Sequence, residues 1–147
     1  MCTKTYAQQN LIMTTSQRRL ILIPLLLIYL LALFALALRP SDATSVDWIN
    51  LVPLSSIARG FRQGGALFLI NIVGNIVVFL PLGLLLPSID KRFNSWVRIM
   101  IIGITISLLI ETLQLVSAQR VADVDDLLLN GIGAVLGYGW HAGRTAA

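Results

Sequence analysis

The chain has 147 residues, of which 56% are hydrophobic and only 12% are charged. This charged fraction is about half the roughly 25% that is usual for soluble domains, and a chain of this length could not bury such long apolar runs. An ordinary soluble protein is therefore excluded. The net charge of +4 comes from Lys and Arg residues that flank the apolar runs, so it indicates membrane topology and no nucleic-acid partner. We expect an all-α integral membrane bundle.

The first long apolar run extends from residue 20 to residue 38, directly after two arginines at 18–19. At about 1.5 Å per residue it nearly crosses a hydrocarbon core of about 30 Å. The pattern predicts a transmembrane helix that follows a cytoplasmic tail of residues 1–19. A cleaved signal peptide is the alternative, because the Ala-Leu-Ala sequence at 35–37 resembles a cleavage site.

Three further apolar runs predict helices at residues 66–86, 97–118 and 126–140. The connection at 40–65 is partly apolar, so we expect a loop on the bilayer surface. Pro81 predicts a kink in the second helix. The last run is short for a span, so this helix would tilt, thin the bilayer or stay partly buried among the others. The prediction is a bundle of about four transmembrane helices in a domain of residues 20–140, with a C-terminal tail at 141–147.

The basic residues indicate the orientation. With the N-terminus inside, the inner side collects seven of the eleven Lys and Arg residues and the outer side collects four. Because Lys and Arg are enriched on the cytoplasmic side of membrane proteins, this bias predicts that both termini are cytoplasmic. We expect a multi-pass protein of the bacterial cytoplasmic membrane.

Polar residues from separate segments converge at one depth of this predicted bundle. Four of the seven acidic residues lie between residues 111 and 126. Ionisable groups near hydrocarbon cost roughly 2.5–3.5 kcal/mol each at mid-helix, so they are usually paired and often functional. With an even number of spans, the polar residues of these segments lie toward the same face of the membrane, whichever terminus is cytoplasmic. The predicted polar pocket comprises Asn50, Arg59, Asn71, Asn75, Glu111, Gln114, Arg120, Asp123, Asp125, Asp126 and Asn130.

Structural roles compete with function for these residues. Asn and Gln can form hydrogen bonds between helices, and small residues favour helix packing in membranes. We assign that packing role to Gly74, Gly103, Gly133 and Gly137. Glu111 is expected to pair with Arg120, Arg59 or Arg62.

The aspartates near residue 125 also have a local interpretation. Asp123 can cap the last helix, with Asp125 and Asp126 favoured in its first turn by the helix dipole. The spacing Asp-x-Asp-Asp could also hold Mg²⁺ or Ca²⁺, which prefer oxygen ligands. It matches no recognised metal signature, and we predict no metal and no cofactor.

Several of these motifs together resemble the VanZ-like family of small bacterial membrane proteins, over roughly residues 48–139. The resemblance is in order and spacing, and its elements are Asn50-Leu51-Val52-Pro53-Leu54, NIVGNIVVFLPLGLLLP at 71–87, Ile110-Glu111-x-x-Gln114, and Arg120-x-x-Asp123-x-Asp125-Asp126 with Asn130, Gly131, Gly133 and Gly137. The family is named for a protein linked to resistance to the glycopeptide teicoplanin. The resemblance implies a cell-envelope membrane protein, with resistance as a property of one branch.

Three functions remain open. The first is a non-enzymatic protein that binds a lipid headgroup or cell-wall precursor at the outer leaflet, with basic residues on phosphate. The second is an intramembrane enzyme acting on a lipid-linked substrate, with Glu111 or Asp123 as general base. The third is a small transporter subunit. The sequence has no recognised nucleophile motif and no inverted repeat, which favours the first. The expected partners are membrane lipid and a lipid-linked cell-wall precursor, and the oligomeric state is open.

Overall fold

The structure, a computed structural model, describes residues 14–38, 49–63, 65–116 and 122–146. These residues form five α-helices, a turn of 3-10 helix at Lys91–Phe93, and two short parallel strands. The helices are α1 (Thr15–Ala37), α2 (Ser55–Gln63), α3 (Ala66–Ile89), α4 (Trp96–Val116) and α5 (Val124–Ala146), and the strands are β1 (Ile49–Asn50) and β2 (Ala122–Asp123).

Three of the helices are long and apolar enough to cross a membrane: α1, the Leu69–Ile89 part of α3, and α4. Helix α5 has 23 residues, which corresponds to about 34 Å of helix, but it carries more glycine and polar residues than the other three. The described chain is thus dominated by four long helices. The prediction of an all-α membrane bundle with about four such helices is confirmed.

Helix α1 begins earlier than the apolar run suggested. The Thr14 hydroxyl accepts a hydrogen bond from the Gln17 backbone N–H at 3.3 Å, and the Gln17 side chain accepts one from the Thr14 N–H at 3.0 Å. This reciprocal capping box fixes the helix start at Thr15. The two arginines at 18–19, assigned to the tail from the sequence, therefore lie in the first turns of α1.

The predicted boundaries at the other end of the chain also differ from the structure. The last helix was expected to be a short segment at 126–140 followed by a tail, and α5 instead extends from Val124 to Ala146. Hydropathy falls after Trp140, but a helix needs backbone hydrogen bonds and not hydropathy to continue. Arg144 lies over the Trp140 ring at 5.7 Å from its centroid, one turn further along.

Helix α5 lies at the centre of the bundle, packed on both α3 and α4, while α1 packs mainly on α3. Helices α3 and α5 run parallel at very short range. A Cβ atom added at Gly133 would lie 2.2 Å from the Ile76 carbonyl oxygen, and one at Gly137 would lie 2.0 Å from that of Leu80. From the α3 side, a Cβ at Gly83 would lie 1.8 Å from the Ala134 carbonyl oxygen. The two backbones are therefore in direct contact, which only glycine permits.

Two of the other glycines singled out in the sequence differ in role. A Cβ at Gly103 on α4 would lie 3.0 Å from the Ala134 Cβ, so Gly103 packs tightly against α5. At Gly74 no heavy atom of the described chain lies within 4 Å of such a Cβ. Gly74 thus makes no close packing contact within the described residues, because the α3 face that meets α5 runs through Ile76, Leu80 and Gly83 instead.

An ion pair joins α1 to the end of α3. Arg19 donates to the Asp90 carboxylate at 3.0 Å and to the Ile89 carbonyl at 3.1 Å. The Ser88 hydroxyl is 3.0 Å from Nδ1 of His141 on α5. We call this the arginine end of the bundle: the start of α1, the ends of α3 and α5, and the start of α4. The opposite end, which holds Ala37, Asn50, Val116 and Val124, is the network end.

The glycine contact gives a matched pair of substitutions on α5. Alanine is favoured over glycine in a helix by about 1 kcal/mol. Gly139→Ala, where no described atom lies within 4 Å of the added methyl, should be neutral or stabilising. Gly137→Ala should lower stability despite the same propensity gain, because its methyl meets the Leu80 backbone. Unfolding by SDS of the purified protein measures both, and equal stability of the two variants would contradict the contact.

Candidate functional site

The described members of the predicted polar pocket lie toward the network end. The Gln114 side chain on α4 donates to the Ala37 carbonyl at the end of α1, at 2.6 Å. The Asn75 side chain on α3 donates to the carboxylate of Asp126 in the first turn of α5. Contacts between the ends of four long helices thus fix the depth of these groups.

The two short strands bring the connecting segments to the same place. Ile49 pairs with Ala122 and Asn50 with Asp123 in parallel register. The Asn50 side-chain amide also donates to the Asp123 carboxylate at 3.0 Å. The segment before α2 is thereby joined to the start of α5, although the two are far apart in sequence.

Asp125 caps a helix other than its own. One carboxylate oxygen accepts from the Leu54 N–H at 2.5 Å, and the other accepts from the Ser56 and Ile57 N–H groups at 2.9 and 3.2 Å. These are donors at the N-terminus of α2, where unpaired N–H groups and the helix dipole favour an anion. Only 1% of Asp125 is exposed, so no solvent competes for them. The carboxylate thus fixes α2 to the bundle, and with it Leu54, whose φ of 63° lies in the left-handed region.

Asp123 holds the same segment through side chains. It accepts from the Asn50 amide, from the Ser56 hydroxyl and from the Asp125 backbone N–H, the last at 2.9 Å. That last contact is an N-cap of α5, as the sequence predicted. Asn50 in turn accepts from the Ser55 hydroxyl at 2.9 Å and the Val52 N–H at 3.3 Å. We call Asn50, Ser55, Ser56, Asp123 and Asp125 the aspartate network.

Buried polar groups extend from the aspartate network into the contact between α4 and α5. Glu111 is buried, and one of its carboxylate oxygens accepts from the Asp123 N–H at 3.3 Å. One turn deeper, the Asn130 amide donates to the Ser107 hydroxyl at 2.8 Å. The Asn130 carbonyl oxygen is buried with no partner among the described residues. The Asn130 side chain therefore forms a hydrogen bond between helices, the structural role that the sequence analysis considered for Asn and Gln.

The predicted pairing of Glu111 with an arginine stays a prediction. Arg120 lies outside the described residues. Arg59 donates to the Ser56 hydroxyl at 3.0 Å, and both Arg59 and Arg62 are exposed on α2. Asn71 is exposed on α3 and makes no hydrogen bond within the described part of the chain. The arginines of α2 thus stand at the surface of the site, and the acids lie beneath them.

Sequence reasoning missed both α2 and the role of its serines. The nearby signals were present: Ser55 and Ser56 follow Pro53-Leu54, and Ile57 and Phe61 have the i, i+4 spacing of an apolar helix face. The arginines lower the mean hydropathy of this short amphipathic helix, so the sequence predicted a loop for the segment. Within the described residues, the acids of the predicted pocket are buried or half-buried and accept hydrogen bonds from protein donors, whereas Arg59 is exposed.

The capping role of Asp125 predicts a large effect from a small change. Asp125→Asn removes the charge and places an amide N–H₂ group among three backbone donors. Each donor left unpaired costs about 1–3 kcal/mol, so this variant should unfold at much lower SDS concentration than wild type.

The matched control is Asp90→Asn, the same chemical change at the arginine end. Its ion pair with Arg19 is partly exposed, and such pairs contribute about 0–1 kcal/mol. If the two Asp→Asn variants lost equal stability, the cap would not be important for the fold.

Comparison with known proteins identifies the family of this chain. No curated protein and no solved structure matches the chain. The family model described as VanZ/LLP1 matches residues 26–142, a span that runs from α1 into the last turns of α5 and includes the whole aspartate network. A match over most of the chain establishes the family, and this protein belongs to the VanZ/LLP1 family of membrane proteins.

Proposed function

We propose that this protein is a multi-pass protein of the bacterial cytoplasmic membrane that binds the phosphate-bearing headgroup of a lipid, or of a lipid-linked cell-wall precursor, at the network end. The observation that carries the proposal is the placement of α2. The aspartate network fastens this short helix to the bundle end with Arg59 and Arg62 on its exposed surface. Orientation by charge bias puts that surface at the outer leaflet.

Apolar side chains next to α2 support contact with lipid. Leu51, Val52 and Leu54 are 76%, 64% and 59% exposed, and they precede the helix directly. Exposed apolar groups beside a short amphipathic helix at the end of a membrane bundle are expected to enter the boundary between headgroups and acyl chains. The arginines of α2 would then lie at the depth of the lipid phosphates.

The arginine side chain suits this ligand. A planar guanidinium can donate two parallel hydrogen bonds to a phosphate. Asp123 and Asp125 already accept hydrogen bonds from Asn50, Ser56 and the N-terminus of α2. Because these two acids serve the fold, the chemistry offered to a ligand at α2 is cationic. The surface of α2 would therefore select anionic headgroups.

The same contacts weigh against the enzymatic alternative. A general base needs a lone pair directed at the substrate, and Asp123 directs both carboxylate oxygens at donors of the protein itself. Binding without catalysis is the function that we propose. Glycopeptide resistance would follow if the bound headgroup belonged to a cell-wall precursor, and this extension rests on the family name alone.

The proposal predicts how charge removal on α2 changes lipid binding. At the α2 site, the double variant Arg59→Gln/Arg62→Gln should bind one molecule of undecaprenyl phosphate or phosphatidylglycerol roughly 25-fold more weakly, at about fivefold per basic residue near a phosphate surface. Native mass spectrometry of the purified protein titrated with each lipid measures this. Comparison of the two affinities distinguishes a preference for the carrier lipid of cell-wall precursors from a preference for an ordinary phospholipid.

The control for this experiment is Lys91→Gln/Arg98→Gln, which removes the same charge at the arginine end, where both side chains are exposed. It should leave binding of the preferred probe within about twofold of wild type. Should the two double variants weaken binding equally, general electrostatics would explain it and the α2 site would be lost.

The orientation gives a separate prediction. Reporter fusions at Ala147 and at Ser56 should report opposite compartments, with Ala147 cytoplasmic, because α3, α4 and α5 separate the two positions by an odd number of crossings. A phosphatase active only outside and a fluorescent protein active only inside read this directly. The same compartment for both sites would contradict the four-span topology.

A further inference from the structure

A second feature of the bundle lies away from the aspartate network. Helices α1 and α5 stand on either side of α3 without packing closely on each other, and an open cavity of about 490 Å³ lies between them. Leu25 and Tyr29 of α1 form one wall, Gly137 and Trp140 of α5 form the other, and α3 forms the floor around Pro81 and Leu84. Cavities of about 300–1,000 Å³ are typical of ligand sites.

The surface of this groove is wholly apolar. The one hydroxyl on its wall, that of Tyr29, donates to the Val78 carbonyl at 2.9 Å, so the ring alone faces the groove. On the opposite wall, Gly137 has no side chain to fill the groove, and the backbones of α3 and α5 are in contact there. A groove in the membrane-facing side of a bundle, with no polar group to offer, fits hydrocarbon.

The depth of the groove assigns it to one leaflet. Trp140 lies six residues before the end of α5, and Leu84 lies five residues before the end of α3, so the groove extends from mid-bundle toward the arginine end. Trp140 is 66% exposed at the mouth, and tryptophan favours the level of the lipid headgroups.

Two arginines lie beyond the groove on the helices that form its walls, toward the arginine end. Arg18 lies seven residues before Leu25, and Arg144 lies seven residues after Gly137. Seven residues are two helical turns, so each arginine lies on the face that lines the groove and about 10 Å further along the axis. Arg144 is held over Trp140, at 5.7 Å from the ring centroid. Arg19 pairs with Asp90, whereas no carboxylate of the described residues is within 4 Å of the Arg18 or Arg144 guanidinium.

We propose that the groove between α1 and α5 binds one acyl chain of an anionic phospholipid from the leaflet at the arginine end, with the lipid phosphate on Arg18 and Arg144. The apolar walls set the chain position, and the two cations, each two helical turns beyond a lining residue of its helix, match a phosphate at the end of a chain. The site is distinct from the proposed headgroup site on α2, since it lies at the opposite end of the bundle and shares no residue with it.

Trp140 provides a reporter for this site. Replacing Trp48 and Trp96 by Phe leaves Trp140 as the single tryptophan. The purified protein in detergent is then titrated with phosphatidylglycerol or phosphatidylcholine whose acyl chains carry bromine, which quenches tryptophan fluorescence on contact. Brominated phosphatidylglycerol should reach half-maximal quenching at a concentration at least fivefold lower than brominated phosphatidylcholine.

Variants separate the headgroup from the chain. Arg18→Gln/Arg144→Gln should remove the preference for phosphatidylglycerol, at about fivefold per arginine. Arg18→Lys/Arg144→Lys should retain most of it, and Lys91→Gln should retain all of it. Leu25→Phe, which narrows the groove, should raise the half-quenching concentration at least threefold, whereas Leu27→Phe, exposed on α1 outside the groove, should not.

Any of three results would overturn the proposal. Equal quenching by the two lipids in the single-tryptophan protein would show that no anionic headgroup is selected. A preference that survives the loss of both arginines, or a Leu25→Phe effect no larger than that of Leu27→Phe, would show that the lipid binds elsewhere near Trp140.

Discussion

Lipid offers no hydrogen-bond partners, and this constraint shapes the polar part of the molecule. Every donor or acceptor placed at membrane depth must find its partner within the protein. The Asp125 carboxylate meets this requirement by taking the N-terminal N–H groups of α2, which would otherwise lack acceptors. Gln114 takes the last carbonyl of α1, and the Thr105 and Thr112 hydroxyls return to carbonyls of their own helix at 2.8 and 2.7 Å. The network end is therefore closed by its own side chains.

The contact between α3 and α5 sets the geometry in which these partners meet. Where Gly133 and Gly137 lie against the α3 backbone, the two parallel helices cannot slide or separate without losing many short-range contacts. Their register puts Asn75 beside Asp126 at one end and Ser88 beside His141 at the other. The position of Asp125 under α2 follows from the same register. Packing of small residues and satisfaction of polar groups are thus parts of one arrangement.

The charges of the two ends have different consequences. At the network end the acids bind protein donors, so the charges that remain on the surface of α2 are arginines. At the arginine end Asp90 neutralises Arg19, and the arginines at 18 and 144 flank an apolar groove instead. Both proposals therefore place phosphate next to guanidinium beside exposed apolar surface, in opposite leaflets. A protein with this arrangement would contact lipid headgroups on both sides of the membrane without needing a catalytic group.

The sequence by itself determined the class of protein, the four long helices and the depth of the polar residues. Run length predicts helices from bilayer thickness alone, and alternation of spans brings Asn75, Gln114 and Asp126 to one end whatever the packing. The helix ends were less well predicted: hydropathy marks where a chain can contact lipid, whereas the capping box at Thr14 and the last turns of α5 obey hydrogen bonding. The apolar i, i+4 spacing that predicts α2 was present, but it is a weak signal because the helix has only nine residues.

Only the tertiary structure decided which partner each polar group takes. Asp125 lies in the first turn of its own helix, as the sequence predicted, but its carboxylate caps α2, because the strand pair carries that helix over it. Gly74 and Gly83 look alike in the sequence, and only Gly83 meets the backbone of α5, since the crossing of two helices selects one face of each. The groove between α1 and α5 likewise exists only because α3 separates two helices that are distant in sequence. Such pairings depend on contacts between remote segments, and spacing along one chain does not specify them.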